Sequence, residues 1–392
     1  MTLPTSPVPA DRAPHSLAEL ADDQLERFSR HLGLSGFGPE AQLALLRARV
    51  LVVGAGGLGA PVLSYLAAAG VGEVHVVDDD VVERSNLHRQ VIHAESDLGR
   101  AKTASAAQTM RGLHPQIRVV EHACRLTADN ALALVEGVDL VVDGADNYAT
   151  RYLVADACEI AGVPVVWGAI LRFAGQVALF HPGGALYRDV FPEPPEAGDA
   201  PSCAEAGVLG VLPGIVGSIM AAEAIKHLAG VGQTLRGRLL SLDALTMTTT
   251  RLSLTPDPDR RPVTDLDAHR VHATARNTRD APAEIAPAGL AALLASPEAR
   301  SVALLDVREP WERRLDRIVP PVGVAEAHVP LAELEADPGA YASEAATTVV
   351  YCAAGTRSAR AAARLTAARP GIEVLSLAGG LDAWRTHAER GS

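Results

Sequence analysis

Hydrophobic positions fall along this chain in short solid runs separated by longer, half-apolar stretches, the pattern of buried parallel strands joined by helices. The clearest instance lies between Arg49 and Asp80. Val50 to Val53 predicts a buried strand, Ala60 to Ala69 a helix, and Val74 to Val77 a second strand that ends on Asp78, Asp79 and Asp80. Between the first strand and the helix stands Gly54-Ala55-Gly56-Gly57-Leu58-Gly59. Gly54 permits a tight turn, Gly56 lets backbone approach a phosphate, and Gly59 lets helix pack on strand. Free N–H groups and the dipole at the helix start favour an anion. Asp78 stands where a nucleotide ribose would be held. Val50 to Gly72 carries no charge and is long enough for a membrane span. Its six glycines and the strand-turn-helix order argue against one, so a nucleotide is the expected ligand.

The alternation runs on in both directions. Residues 1 to 15 hold four prolines and read as a mobile tail, and Ser16 to Leu46 as short helices. Glu83 to Gln90 is a polar loop without periodicity, and Gly99-Arg100-Ala101-Lys102 opens a helix ending near Arg111. Ile117 to Glu121 predicts a third strand, Thr127 to Glu136 a helix with Thr127 as its cap, and Val138 to Val142 a fourth strand. That strand runs into Asp143-Gly144-Ala145-Asp146-Asn147, at the edge where open α/β sheets bind ligands. A helix to about Ala161 and a strand from Val163 to Trp167 follow.

There the alternation breaks. Gly175 to Phe180 predicts an antiparallel strand. His181 to Ser202 is rich in Pro, Gly and Glu, too long for an ordinary connection, and delivers Cys203. Val208 to His227 predicts a helix buried against the sheet or a second subunit, and Arg238 to Asp243 with Met247 to Leu252 a hairpin. Thr255 to Glu284 lacks apolar periodicity and reads as a linker. A second α/β unit follows: a strand from Val302 to Leu305 ending in Asp306-Val307-Arg308-Glu309-Pro310-Trp311, and one from Thr347 to Tyr351 running into Cys352-Ala353-Ala354-Gly355-Thr356-Arg357. A helix to about Ala368 and a strand from Val374 to Leu377 complete it. The expected domains are 16–254, a linker at 255–283, and 284–392.

Composition narrows the function. At 392 residues the length suggests roughly two to three domains. A formal net charge of −12 argues against nucleic-acid binding, which needs a basic surface. Cys124, Cys158, Cys203 and Cys352 are scattered, with no pair at metal spacing and no disulfide framework. A reducing cytoplasm fits that usage, and no signal peptide is expected from the Pro-rich start.

The first unit holds more than a dehydrogenase needs. Asn86, Arg89, Lys102 and Asp146 all fall at strand ends or loops on one sheet edge. Two cations and a carboxylate beside a phosphate site suit magnesium-bound triphosphate chemistry: the carboxylate holds the metal, and the cations offset phosphate charge. The stretches RFSRH, GAGGLG, VVDDD, SNLHRQ, GRAK and DGADN, in this order, resemble the MoeB/ThiF family of adenylyltransferases, relatives of ubiquitin-activating enzymes. The resemblance covers roughly residues 20 to 250 and implies a Rossmann-like mixed sheet. It implies ATP contacts at the glycine loop, Gly57 included, with Asp78 on the ribose and Asp80 beside it. Ser85, Asn86, Leu87, His88, Arg89 and Lys102 would line the phosphates. Asp146 would carry magnesium, with Asn147 beside it. Arg30 would reach the nucleotide of the other subunit of a homodimer. The implied substrate is a ubiquitin-like sulfur carrier protein ending in Gly-Gly. Zinc-binding members carry a Cys-x-x-Cys pair where this chain has Leu186 and Asp189, and another near the domain end; both pairs are absent, so no zinc is expected. Cys203 matches the family cysteine that links covalently to the carrier or the sulfur donor.

In the second unit, a strand running into Cys352, a Gly-containing loop and a helix make an anion cradle suited to a thiolate or persulfide, with Arg357 adding charge. Four residues separate Cys352 from Arg357, one fewer than in cysteine phosphatases. That loop, with LLDVREPWE before it and AGGLDAW after it, resembles rhodanese sulfurtransferases over roughly residues 284 to 390. The fusion resembles the MoeZ type and implies adenylation of a carrier carboxylate, then sulfur transfer from a Cys352 persulfide charged by thiosulfate or a cysteine desulfurase. Two other readings remain open: an NAD-dependent oxidoreductase, and a non-catalytic scaffold for a ubiquitin-like protein.

Overall fold

The computed structural model describes residues 16–195, 207–270, 283–339, 341, 343, 345–369 and 371–391. The expected tail, residues 1 to 15, and Cys203 lie outside the described residues. The chain divides into two compact units, Met1–Val271 and His272–Ser392.

In the first unit, α1 (Asp22–Leu32) and α2 (Gly38–Arg47) lead into β1 (Arg49–Val53), α3 (Gly59–Ala69) and β2 (Glu73–Val77). Then come α4 (Lys102–Leu113), β3 (Arg118–His122), α5 (Ala131–Val135), β4 (Leu140–Asp143), α6 (Tyr148–Ala161) and β5 (Val165–Leu171). β6 (Ala174–Phe180), α7 (Tyr187–Val190), α8 (Leu212–Ala229), β7 (Arg238–Asp243) and β8 (Thr248–Ser253) complete it. The strands form one sheet in the order β3-β2-β1-β4-β5-β6-β7-β8. β1 to β5 are parallel and β5 to β8 antiparallel, giving the expected mixed sheet. The order reverses between β1 and β4, whose C-terminal ends therefore open a crevice.

The strands read as solid apolar runs because both faces are covered. Val50, Val52, Val74 and Val76 pack with Leu63, Leu66 and Met220 on one face. Leu51, Val53 and Val141 pack with Leu153 and Ala157 on the other. Full burial of each side chain of this size contributes about 1.5–3 kcal/mol.

Two local expectations change. The helix expected from Thr127 to Glu136 is only Ala131–Val135, and Thr127 does not cap it. The Asn130 side chain accepts from the Thr127 N–H at 2.8 Å and donates to the Arg125 carbonyl at 2.9 Å, which fixes a turn in place of the first helical turns. Residues 255–270, read as the start of a linker, are bound onto the first unit. Arg260 donates to Asp189 at 2.6 Å and to both Glu159 oxygens at 3.0 and 3.1 Å. The Val263 N–H adds a bond to Glu159 at 3.0 Å, and His269 Nε2 lies 2.6 Å from Asp156. Leu266 is buried in the core of the α6 face. Asp189 also accepts from the Leu186 N–H at 2.6 Å. Residues 186–189 are thus fastened by a carboxylate–guanidinium clasp of Asp189, Glu159 and Arg260. Burial alone would favour neutral Asp156, but hydrogen bonds from Arg188 and His269 hold its carboxyl below the usual value.

The second unit contains β9 (Glu284–Ile285), α9 (Pro287–Leu294), β10 (Val302–Asp306), α10 (Pro310–Leu315), β11 (Ala325–His328) and α11 (Leu331–Ala336). β12 (Thr347–Tyr351), α12 (Thr356–Ala368), β13 (Glu373–Leu377) and α13 (Gly380–Gly391) follow. The sheet is wholly parallel, in the order β11-β10-β12-β13-β9. β10 is buried along its whole length and β12 over Thr348–Tyr351, which puts Cys352 at the C-terminal edge of a central strand.

Candidate active site

Three separate loops meet at the crevice. The Gly54 N–H bonds the Val77 carbonyl at 2.8 Å, and the Gly144 N–H bonds the Val53 carbonyl at 2.9 Å. These bonds set the glycine loop between the ends of β2 and β4. Gly54 has φ +91°, a conformation that disfavours any side chain. A Cβ on Gly59 would lie 1.9 Å from the Gly54 carbonyl oxygen, so any other residue would push α3 away from the loop. The N–H groups of Gly56, Gly57 and Leu58 donate to nothing among the described residues. Three unpaired donors at a helix start suit an anion.

Asp78 faces that loop. Its carboxylate accepts from the Ala55 N–H and the Asp80 N–H, both at 2.8 Å. Burial favours its neutral form and, against nearby Lys102 and these donors, still lifts its pKa above the usual carboxylate value. Lys102 opens α4 and is nearly buried, with its ammonium 2.8 Å from an Asp80 oxygen. The Lys102 N–H bonds the Asp80 carbonyl at 3.0 Å, which ties the two loops together. The loop from Ser85 to Gln90 closes on the same point. A Cβ on Gly57 would lie 3.6 Å from Arg89 Cγ, so the Arg89 stem runs against the glycine loop. Arg89 donates to the Ser85 carbonyl at 3.0 Å, and His88 Nδ1 lies 3.0 Å from that oxygen. Asn86 is buried and anchors the turn by accepting from the Glu83 N–H at 3.3 Å; Leu87 is half-buried.

Asp143, the last residue of β4, and Asp146 just beyond it differ in environment. Asp143 is fully buried, and burial pushes its pKa up to about 6 against the Ala145 N–H and Arg151. Asp146 is exposed, and its one polar neighbour among the described residues is the Asn147 amide at 3.5 Å. Asn147 caps α6 by accepting from the Thr150 N–H at 2.9 Å. The carboxylates of Asp78, Asp79 and Asp80 also lie within reach of one another, but Asp78 is taken by backbone donors and Asp80 by Lys102. Asp79 and Asp146 are thus left without an ion-pair partner among the described residues, and the second of them, Asp146, follows Gly144, which packs on the glycine loop. Asp146 suits a hard cation that keeps most of its waters and takes its other ligands from phosphates. Arg30 lies apart from this constellation, exposed in the last turn of α1, with no partner for its guanidinium among the described residues.

In the second unit, Cys352 is buried, and its sulfur accepts from the Gly355 N–H at 3.1 Å. The Leu381 and Asp382 N–H groups bond the Cys352 and Ala353 carbonyls at 2.8 and 3.0 Å, so the AGGLDAW segment braces the loop. Arg357 is turned to Glu312, with bonds of 2.7 and 2.6 Å. Burial opposes the Glu312 charge, but Arg357 holds that carboxyl below its usual value. The guanidinium charge is thus offset, and the Gly355 N–H supplies the close backbone contact to sulfur. Sequence reasoning missed Glu312, since only an ion pair across 45 residues reveals it. It also missed Ser358 and Ser376, buried hydroxyls 2.9 Å apart, the first 3.5 Å from the Cys352 sulfur.

Residues 28–263 match the ThiF family, and residues 287–387 match the rhodanese-like domain. The chain is 43% identical over 378 residues to the probable adenylyltransferase/sulfurtransferase MoeZ of Mycobacterium tuberculosis, covering 93% of this chain and 94% of that protein. It is 53% identical over 236 residues to the SAMP-activating enzyme E1 of Haloferax volcanii, covering 60% of this chain and 87% of that protein. Among solved structures, E. coli MccB with MccA-N7isoASN superposes with a TM-score of 0.56 at 22% identity, covering 63% of this chain and 76% of that one. That last likeness concerns fold alone. With a glycine loop, acid and lysine gathered at a switch point, and a cysteine cradle in its second unit, the chain belongs to the ThiF family and carries a C-terminal rhodanese-like domain.

Proposed function

We propose that this chain adenylates the C-terminal glycine of a ubiquitin-like sulfur carrier protein with ATP and then delivers sulfur to it from Cys352. The convergence of three unpaired N–H groups, Arg89, Lys102 and Asp146 on one crevice carries this reading. The carrier carboxylate attacks the α-phosphorus of ATP and pyrophosphate leaves, giving an acyl-adenylate. No general base is required, because a C-terminal carboxylate with a pKa near ~3.5 is already ionised. The obstacle is an anion approaching a polyanion. Lys102, Arg89 and the loop N–H groups offset that charge, and Asp78 orients the ribose. Magnesium held by Asp146 would add positive charge across the phosphates. Arg30, remote from its own crevice, acts on the nucleotide of a second subunit in a homodimer.

The terminal sulfur of a Cys352 persulfide, loaded from thiosulfate or a cysteine desulfurase, then attacks the acyl carbon and AMP leaves. A thiol then attacks the Cys352 sulfur of the acyl-persulfide, so the S–S bond breaks, the thiocarboxylate leaves, and Cys352 is left in a mixed disulfide that an external thiol reduces. The test is ATP–pyrophosphate exchange on the whole chain with carriers ending in Gly-Gly. Exchange that depends on the carrier is expected. NAD binding without ATP binding, or carrier binding without exchange, would replace this reading by a dehydrogenase or a scaffold.

The clasp on residues 255–270 gives a separate expectation. With carboxylates and a guanidinium where relatives place thiolates, no zinc is held there, and stability rests on Arg260. Arg260→Ala leaves Asp189 and Glu159 buried without their cation, so it should destabilise the first unit by about 3 kcal/mol in urea unfolding. Chelators should leave the wild-type unfolding curve unmoved; a chelator-induced shift, or stoichiometric zinc by elemental analysis, would refute the metal-free clasp.

A further inference from the structure

One buried polar network touches the glycine loop without belonging to the residues assigned above. His93 and Ser105 are 7% and 1% exposed. His93 Nε2 lies 3.0 Å from the Ala55 carbonyl oxygen, and Nδ1 lies 2.8 Å from Ser105 Oγ. Ser105 Oγ is 2.9 Å from Asp97, whose carboxylate also accepts from the Ala94 N–H at 2.9 Å and pairs with Arg100. Ser105 stands one turn into α4, the helix that Lys102 opens.

The tautomer follows from the partners. A carbonyl oxygen only accepts, so Nε2 carries a proton whether the ring is neutral or charged. Burial lowers the His93 pKa, and the Nε2 proton that faces Ala55 is kept in the neutral ring as in the charged one. The peptide joining Ala55 to Gly56 is trans and planar, so its C=O and N–H point in opposite directions. A donor that holds the Ala55 oxygen on one side therefore aims the Gly56 N–H to the other. The preceding peptide is fixed as well, by the Ala55 N–H on Asp78 at 2.8 Å. The loop is thus gripped at two consecutive peptide planes, one from β2 and one from the segment leading into α4.

We propose that His93 is a positioning residue for phosphate binding: by holding the Ala55 carbonyl it orients the Gly56 N–H toward the nucleotide phosphates and couples the glycine loop to the helix of Lys102. The proposal rests on the nucleotide reading of this crevice. It predicts an effect confined to phosphates, which a residue that merely packs would not produce.

The experiment titrates the whole chain calorimetrically with magnesium-ATP and, separately, with adenosine. His93→Asn keeps a group near Ser105 but falls short of Ala55, whereas His93→Gln places an amide N–H where Nε2 stood. His93→Asn should weaken ATP about ten-fold while leaving adenosine unchanged, the loss expected for one misaimed donor to a charged group. His93→Gln should restore ATP binding. Equal weakening of ATP and adenosine, unchanged ATP binding in His93→Asn, or no recovery in His93→Gln would each overturn the proposal. If His93→Asn does not fold, Ser105→Ala carries the test: it frees the ring and should weaken ATP selectively, and unchanged ATP affinity would count against the coupling. A wild-type chain that binds adenosine and ATP equally weakly would instead overturn the nucleotide reading itself.

Discussion

Replacing Asp146 by alanine is expected to lower carrier-dependent ATP–pyrophosphate exchange by about a thousand-fold, the scale of losing a group that stabilises transition-state charge. The expectation follows from the contrast between the two acids at the end of β4. Asp143 is buried and answers to the backbone and Arg151, whereas Asp146 is exposed and contacts only Asn147 among the described residues. Among the described residues only the Asn147 amide, at a long 3.5 Å, bonds the Asp146 carboxylate, and the cap on α6 is made by Asn147, which the substitution leaves in place. Stability should therefore move by less than about 0.5 kcal/mol. Loss of exchange with an unchanged unfolding curve would place Asp146 in the chemistry. Near-normal exchange in Asp146→Ala would remove it and, with it, the magnesium ligand of the proposed mechanism.

Cys352→Ala should separate the two halves of the reaction. Adenylation precedes sulfur delivery, so exchange should match the wild type within about two-fold, while thiocarboxylate falls by more than about a hundred-fold for want of the nucleophile. Intact-mass analysis of the carrier reads both outcomes, because carrier-AMP accumulates when no persulfide reaches it. The geometry behind this expectation is the Gly355 N–H on the sulfur at 3.1 Å, with the loop braced by Leu381 and Asp382. Normal thiocarboxylate from Cys352→Ala, with thiosulfate or a desulfurase as the only sulfur source, would move sulfur delivery to another residue.

Much of the fold is legible in the chain because its central strands are covered on both faces. Solid runs such as Val50 to Val53 and Val138 to Val142 give the strands, and the glycines between them give the crevice. The Cys352 loop is legible for the same reason, standing after an apolar strand and before a helix. What escaped is ionic or local. The stretch at 255–270 has one buried apolar anchor, Leu266, and is otherwise fastened by Arg260, Val263 and His269, so no periodicity betrays it. Thr127 and Asn130 are both good caps, and only the turn that Asn130 builds decides between them. The sequence suggests that Arg357 serves sulfur, but its position alone does not show that Glu312 already occupies it.

The clasp at Arg260 has a consequence for how the two chemistries would age in a stressed cell. Thiolate cages lose their metal when oxidants attack sulfur, and they empty when zinc is scarce. Carboxylates and a guanidinium offer an oxidant nothing to take, and their pairing grows less costly as temperature rises. Peroxide would then spare the clasp and act on the chain's sulfur, the exposed Cys124 and the proposed sulfur carrier Cys352 included. With Cys352 oxidised, the proposed reaction would stop at the carrier adenylate until that thiol was reduced again.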